Sequence, residues 1–439
     1  MRVGYGAARL PVPPGTPMGG YLDRPGDSAG ELDPLQVGVI TWSDGRRRFA
    51  LAVADVICVN DDLSRQARQA VAASCELWLA ATHTHAGPET GCVPGGGPTP
   101  QPWRDRIVEA TRTALARATA AERPARGSAH QGGLRDVGAA RGMPSAEPLV
   151  PLDVLAVRDP AGRLEGVLIV LPVHPTVLPP DNLLVSADLT GAVREAVRAR
   201  LGPDVWVLVA AGTAGDISTR HTRRGQDAAE LGRLGGLVAD RCVELLDAAP
   251  AAAEAWTPGS VIGWASRRCS LARGSSVADP HALLAELRAA HERSRAAGDA
   301  TATRMALSRL EGARLLTEAT PEPAPGTAGT GAARPPAGKP PTPAAITTEV
   351  SAVRLGGLAL AALPGEPFVA TGEDVRRTRP DPTFVLGYVN GYPGYLPAAA
   401  AYAGQEYEVL AGRVAPGSAE YLATTVADLL HDLDTPEDS

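Results

Sequence analysis

The tripeptide His83-Thr84-His85 follows the apolar run Leu77 to Thr82 and precedes Ala86-Gly87-Pro88. A strand closed by Gly-Pro opens a loop at that point, and strand alternation turns both imidazoles to one face, which suits metal binding or proton transfer. A single strand-end histidine also serves as an ordinary hydrogen-bonded polar residue, so the pair gains meaning from its companions. The first is His174, which ends the run Val167-Leu168-Ile169-Val170-Leu171 and stands before Pro175, a context that holds it extended. Three of the eight histidines thus close apolar strands, whereas His281, His291 and His431 read as solvated helix residues.

A hydrolytic zinc site takes three or four nitrogen, oxygen or sulfur ligands and leaves a position for water. The five cysteines, Cys58, Cys75, Cys92, Cys242 and Cys269, contain no CxxC pair, so further ligands must be carboxylate or phenolate. Glu366 lies in Pro364-Gly365-Glu366-Pro367, a stiff loop after an apolar strand that would aim one carboxylate. Asn390-Gly391-Tyr392-Pro393-Gly394-Tyr395 follows another strand and leads to Tyr402 and Tyr407; these tyrosines equally suit a packed aromatic patch. Gly212-Thr213-Ala214-Gly215-Asp216-Ile217-Ser218 lies beyond a third strand, and its small residues admit a ligand close to the backbone beside Ser218. It is not the GxSxG nucleophile elbow.

The elements that must hold these loops read as α/β. Hydrophobic patterning predicts strands over 37–41, 49–53, 77–81, 152–157, 166–171 and 205–210, and helices over 61–73, 103–120, 189–200 and 228–246. Strand-like sequence returns over 349–360 and 383–389, and 418–433 closes as a helix. The expected architecture is a mixed-sheet single catalytic core with site-forming strand-end loops. Residues 1–264 form its first part, 265–319 an inserted helical hairpin, 320–345 a Pro/Ala/Gly-rich linker, and 346–439 the remainder. No internal sequence repeat is visible.

The 439 residues carry a net charge of −7, which argues against a phosphate-tracking nucleic-acid surface. The N-terminus lacks a secretory apolar stretch, no run is long enough to span a bilayer, and the cysteines suit a reducing compartment, so the expectation is a cytoplasmic protein without stable membrane association.

Taken in order, Gly4-Tyr5-Gly6, Met18-Gly19-Gly20-Tyr21, THTHAGP, HPTVL with Ser186-Ala187-Asp188, AGDIS, PGEPF and NGYPGYLPAAAAYAGQEYE resemble the catalytic domain of the neutral (non-lysosomal) ceramidases, from Gly4 to about Leu430. The resemblance implies a zinc-dependent amide hydrolase. It implies His83, His174, Glu366 and Tyr395 as zinc ligands and His85 as the neighbouring catalytic histidine; strand geometry does not decide between His83 and His85. It further implies catalytic roles for Ser218, Tyr407 and Arg141, the last with Ala140 where the family has Asn. Asp188 and Asp216 are candidates to orient a ligand imidazole, or else serve as a cap or turn residue.

The chain departs from the family after Ser218, where Pro-Asn is replaced by Thr219-Arg220-His221-Thr222-Arg223-Arg224. Arginine forks recognise carboxylate and phosphate, so the expected substrate is a small polar N-acylated or amide-containing metabolite. The alternatives are an amide-forming acyltransferase or cyclase of specialised metabolism, a true ceramidase, and a binding protein that keeps the metal pocket.

Overall fold

The computed structural model describes residues 1–71, 75–142, 148–248, 253–257, 259–319 and 345–434. One six-element unit occurs three times along the chain. In the first, strands Arg2–Arg9, Gln36–Ser43 and Arg48–Ala54 run antiparallel, helix Asp61–Gln69 crosses over, Cys75–Ala81 pairs parallel to Arg48–Ala54, and helix Gln101–Ala120 closes the unit. The second uses strands Arg126–Arg135, Leu149–Arg158 and Leu164–Leu171, helix Asp188–Leu201, parallel strand Trp206–Ala211 and helix Ala228–Asp247. The third uses strands Ile262–Ala272, Ala345–Leu355 and Leu358–Ala362, helix Val369–Arg377, parallel strand Thr383–Leu386 and helix Ser418–Asp434. Each closing helix packs back on the first two strands of its own unit. Parallel neighbours require a crossover, which is why a helix recurs between the last two strands of each unit.

Central strands such as Val167 to Leu171 are apolar on both faces because both faces are covered. Helices cover one face of each sheet. The other faces meet in a shared core where Trp42, Phe49 and Trp78 from the first unit join Leu155, Leu168 and Leu208 from the second and Leu360 and Phe384 from the third. Trp42 stacks on Phe49 at 5.4 Å between centroids, and Trp78 meets Phe49 edge-on at 5.0 Å. The three units therefore make one core. Gly4 and Gly6 belong to the packing of the first unit: a Cβ there would lie 2.0 Å from the Ala118 carbonyl oxygen and 2.4 Å from that of Ala114, so only glycine lets helix Gln101–Ala120 lie so close.

Several boundaries differ from the patterning. The run 349–360 is two strands joined at Gly356-Gly357, with Gly356 at φ +62°, because apolar residues on both sides of the turn mask it. The strand expected over 383–389 stops at Leu386, and the helix expected to reach 73 stops at Gln69. Strands Arg2–Arg9 and Arg126–Arg135 are hidden by glycine, and Ile262–Ala272 by Arg267, Arg268 and Ser270 on the open side of an edge strand. Residues 265–272 are consequently sheet, and the hairpin helices are Pro280–Ala296, capped by Asp279, and Ala300–Ala319. Of the linker expected over 320–345, residues 320–344 lie outside the described residues, and Ala345 opens a strand. No helix among the described residues is long and apolar enough to cross a membrane.

One buried ion pair fastens the first unit to the second. Arg194 donates two 2.8 Å hydrogen bonds to Asp55, whose carboxylate also accepts from the Gln36 amide. Removing one partner strands the other charge in the core. Arg194→Met is expected to lower the unfolding free energy by about 3–5 kcal/mol, measured by urea denaturation, with part of the loss restored in Asp55→Asn/Arg194→Met.

Candidate metal centre and active site

The loops after all six parallel strands run to one place. His83 and His85 follow Cys75–Ala81, His174 follows Leu164–Leu171, and Glu366 follows Leu358–Ala362. The partner strands contribute the Ile57 carbonyl after Arg48–Ala54, Ala214 and Ser218 after Trp206–Ala211, and Tyr388, Tyr392 and Tyr395 after Thr383–Leu386. Carboxyl ends of parallel strands are where open α/β sheets place ligands, since the scaffold there is rigid and the loops are free to vary.

The His83 Nε2 atom lies 3.2 Å from His174 Nε2 and 3.3 Å from His85 Nε2. The Glu366 carboxylate presents Oε2 at 3.3 Å from His83 and 3.0 Å from His174. His83, His85 and His174 together form a buried cluster able to hold a metal ion. The alternation argument for the His pair does not survive, because the strand ends at Ala81 and His83 adopts φ +66°. The rings converge through this left-handed residue rather than through a pleat. Asp188, Tyr388 and Asn390 also have positive φ, so four of the five such non-glycine residues described lie in the site loops. Backbone held in that region costs about 1–3 kcal/mol per residue and persists where surrounding contacts over-determine it.

Those contacts are identifiable. His83 Nδ1 donates to the Ile57 carbonyl at 2.6 Å and His174 Nδ1 to the Ala214 carbonyl at 2.7 Å, which leaves each Nε2 lone pair facing the cluster. The aspartates do not orient either ring. Asp188 instead accepts from the Val177, Leu178 and Leu189 amides, and Asp216 accepts from Val369 just after Glu366. Carbonyl groups took the orienting role because the strand-end turns bring backbone there, leaving both carboxylates to brace loops.

Glu366 Oε1 accepts a 2.5 Å hydrogen bond from Tyr392, while Oε2 is buried without one. Burial alone would raise this carboxyl, but His83 and His174 hold it well below the usual carboxylate range. Burial, reinforced by Arg141, lowers His174 to about 4 against the pull of Glu366. His85 is likewise lowered by burial and then by His83 and His174. Proton-free imidazole and carboxylate atoms converging on one point fit a divalent cation, which competes with protons for those lone pairs.

Tyr395 pairs in register with Glu366 across a short parallel bridge. Its hydroxyl accepts from Arg141 at 3.1 Å, and its ring lies parallel to His174 and edge-on to Tyr407. Arg141 also meets Glu408 at 3.0 Å. Ser218 bridges His174 and pairs with Ala139, which brings Arg141 beside it. His85, Arg141, Ser218, Tyr395 and Tyr407 then line one cavity of about 330 Å³, with buried His83, His174 and Glu366 behind it. All eight residues singled out in the sequence are thus adjacent.

Other participants were missed. Gly20, at φ +96°, lies so near the His85 ring that a Cβ would sit 2.5 Å from its Cγ, and the Tyr21 ring packs edge-on against His85. Arg24 holds the His85 carbonyl, and Asn390 Oδ1 accepts from Leu79 and Ser64, joining the third unit to the first. The Gly-Gly-Tyr spacing was a signal for the first pair; nothing local marks Arg24. Helix Ala300–Ala319 adds Arg304, Leu307, Ser308 and Glu311 to the cavity wall. The hairpin is held there by Leu310, Ala313 and Leu316 packed with Leu410, and by Gly312, where a Cβ would lie 2.9 Å from that of Leu410.

An α/β core with a buried nitrogen and oxygen cluster at its strand ends has counterparts among solved structures. A ceramidase complexed with C2 superposes with a TM-score of 0.74 at 19% identity, over 99% of this chain and 75% of that one. A neutral ceramidase from Pseudomonas aeruginosa gives 0.72 at 18% identity, over 100% of this chain and 75% of that one. No family model matches the chain, and no curated protein does. The structural neighbours are therefore neutral ceramidases, and the chain has the fold that its motifs imply.

Gly20→Ala is expected to displace the His85 ring and cost about 1–2 kcal/mol, whereas Gly15→Ala, also at positive φ but with open space around it, brings the backbone cost alone. Imidazole NMR resonances check this: a His85 shift in Gly20→Ala and none in Gly15→Ala is the expected pattern.

Proposed function

We propose that the chain is a zinc-dependent amide hydrolase acting on a small polar N-acylated or amide-containing compound in the cytoplasm. The observation that carries this reading is the convergence of His83, His174 and Glu366 Oε2 beside a cavity lined by His85, Arg141, Ser218, Tyr395 and Tyr407. Zinc would be held by His83, His174, Glu366 and Tyr395. Bound there, the ion supplies Lewis acidity towards an amide carbonyl and towards water. A nitrogen-rich, carboxylate-containing donor set suits zinc.

His85 is the proton carrier. Its lowered pKa keeps it neutral near pH 7, and Nε2 opens on the cluster, so the ring takes a proton from water and returns it to the departing amine. Arg141, Tyr407 and Ser218 face the same cavity with donors for the oxygen that gains charge as the amide carbon becomes tetrahedral. Arg141, whose positive charge is secured by Tyr395 and Glu408 against burial, is the cationic donor of the three. Three lines support a small polar substrate in the cytoplasm: the cavity size, the arginines at its wall, and the five free cysteines. The ceramidases among the solved structures favour ceramide as a second reading.

Elemental analysis is expected to give one zinc per chain, lost in both His83→Ala and Glu366→Ala with far-ultraviolet dichroism unchanged. His85→Gln is expected to keep the metal and lose about 10²–10⁴-fold in kcat on an amide panel assayed with water and with amine acceptors. Metal retention in both ligand variants would overturn the site, and turnover confined to amine acceptors would make the protein an amide-forming enzyme.

A further inference from the structure

Two arms of the chain bring arginines to the same cavity. Arg220 and Arg223 come from the segment after Ser218, and Arg304 comes from the hairpin helix Ala300–Ala319. Other arginines nearby are paired: Arg141 with Glu408, Arg233 with Glu230 and, on the hairpin helix itself, Arg309 with Glu406. Among the described residues, Arg220, Arg223 and Arg304 have no carboxylate in ion-pair contact. Arg220 is steadied by the Arg141 carbonyl at 3.4 Å and Arg223 by the Thr176 carbonyl at 2.5 Å, contacts that place the guanidinium groups without neutralising them.

This arrangement is electrostatically incomplete. Burial, Arg141 and the other arginines push Arg220 down to about 10, and burial lowers Arg223 with Arg304 adding repulsion. Like charges gathered in a partly desolvated wall repel one another and gain most from an anion that accepts hydrogen bonds from several of them. Two carboxylates line the cavity as well, Asp23 and Glu311, but neither is ion-paired with the three arginines, and Glu311 is itself pushed up by burial and by Asp23. Glu311 shares the hairpin helix with Arg304, and Arg220 and Arg141 pull its carboxyl down, so both signs of charge line the cavity with the arginines in excess.

We infer that Arg220, Arg223 and Arg304 form a recognition site for an anionic group, carboxylate or phosphate, carried by the substrate. This deepens the amide-hydrolase reading and rests on it for the identity of the rest of the ligand. Because Arg304 belongs to the hairpin, the insertion is a specificity element: it adds a third guanidinium to the cavity that the segment after Ser218 lines with two.

The test compares N-hexanoylglycine, N-hexanoylphosphoethanolamine and neutral N-hexanoylglycinamide, titrated calorimetrically into the full-length metal-loaded protein. At least one anion is expected to bind about tenfold or more tighter than the glycinamide, with a preference that weakens as salt rises. Arg304→Gln, on an exposed helical position, and Arg220→Gln are each expected to reduce that preference about tenfold and leave glycinamide binding unchanged. Arg46→Gln, the same charge change on a distant turn, should alter neither. Equal binding of all three probes, or a preference that survives both Arg304→Gln and Arg220→Gln, overturns the inference. Cleavage of the same probes is scored separately. Arginine-dependent binding without cleavage sinks the hydrolase reading and leaves the anion site standing; cleavage without anion preference does the reverse.

Discussion

The Glu366 carboxylate among His83 and His174 is the interaction on which the rest of the structure depends. An ionised carboxylate in a wholly buried position is very costly unless its charge is compensated, and here one oxygen accepts from the Tyr392 hydroxyl while the other meets the His174 and His83 imidazoles at 3.0 and 3.3 Å. None of those groups is local to Glu366 in sequence. The fold must therefore bring three distant strand ends into register within a few ångströms, and the left-handed residues at His83, Asp188, Tyr388 and Asn390 are the local concession to that convergence. A bound cation turns the same concession into a gain, because it supplies the positive charge that Glu366 and the aligned lone pairs lack.

Topology explains how convergence is achieved. Each of the three units ends two neighbouring parallel strands on the same side, so each delivers a pair of loops rather than one. In the first two units one loop supplies an imidazole and the other the carbonyl that fixes an imidazole. In the third, Glu366 and the tyrosines play the corresponding parts. Arg194 with Asp55, and Asn390 with Leu79, then lock the units against one another close to the site.

Much of this was legible in the sequence, and the part that was not has a physical reason. Apolar runs followed by His, Gly-Asp or Pro-Gly-Glu announced strand-end loops because buried parallel strands are near-continuous apolar segments. The eight proposed site residues share that context or a motif, which is why they could be named. Gly4 and Gly6 concealed a strand, since close packing on a helix required residues that strand propensity disfavours, and Arg267 and Arg268 concealed another because an edge strand tolerates charge. Gly20 and Arg24 act on His85 through space from a loop about sixty residues upstream, and no spacing rule reports such a contact. The threefold topology was invisible because it is preserved in pairing direction and helix placement, not in residue identity.

The threefold arrangement also sets an order of events during synthesis. The first unit is complete by residue 120 and the second by residue 247, so a growing chain possesses His83, His85 and His174 well before Glu366 and Tyr395 emerge. Until then the imidazoles lack the carboxylate that faces them in the folded protein, where Asp55 and Arg194 join the two units that bear them. The third unit supplies the negative charge and part of the shared core, so the site and the core are both completed by the last unit to be made. Under the proposed metal assignment, the donor set would be complete only with the last unit, and an ion held tightly would certify that all three units are in place.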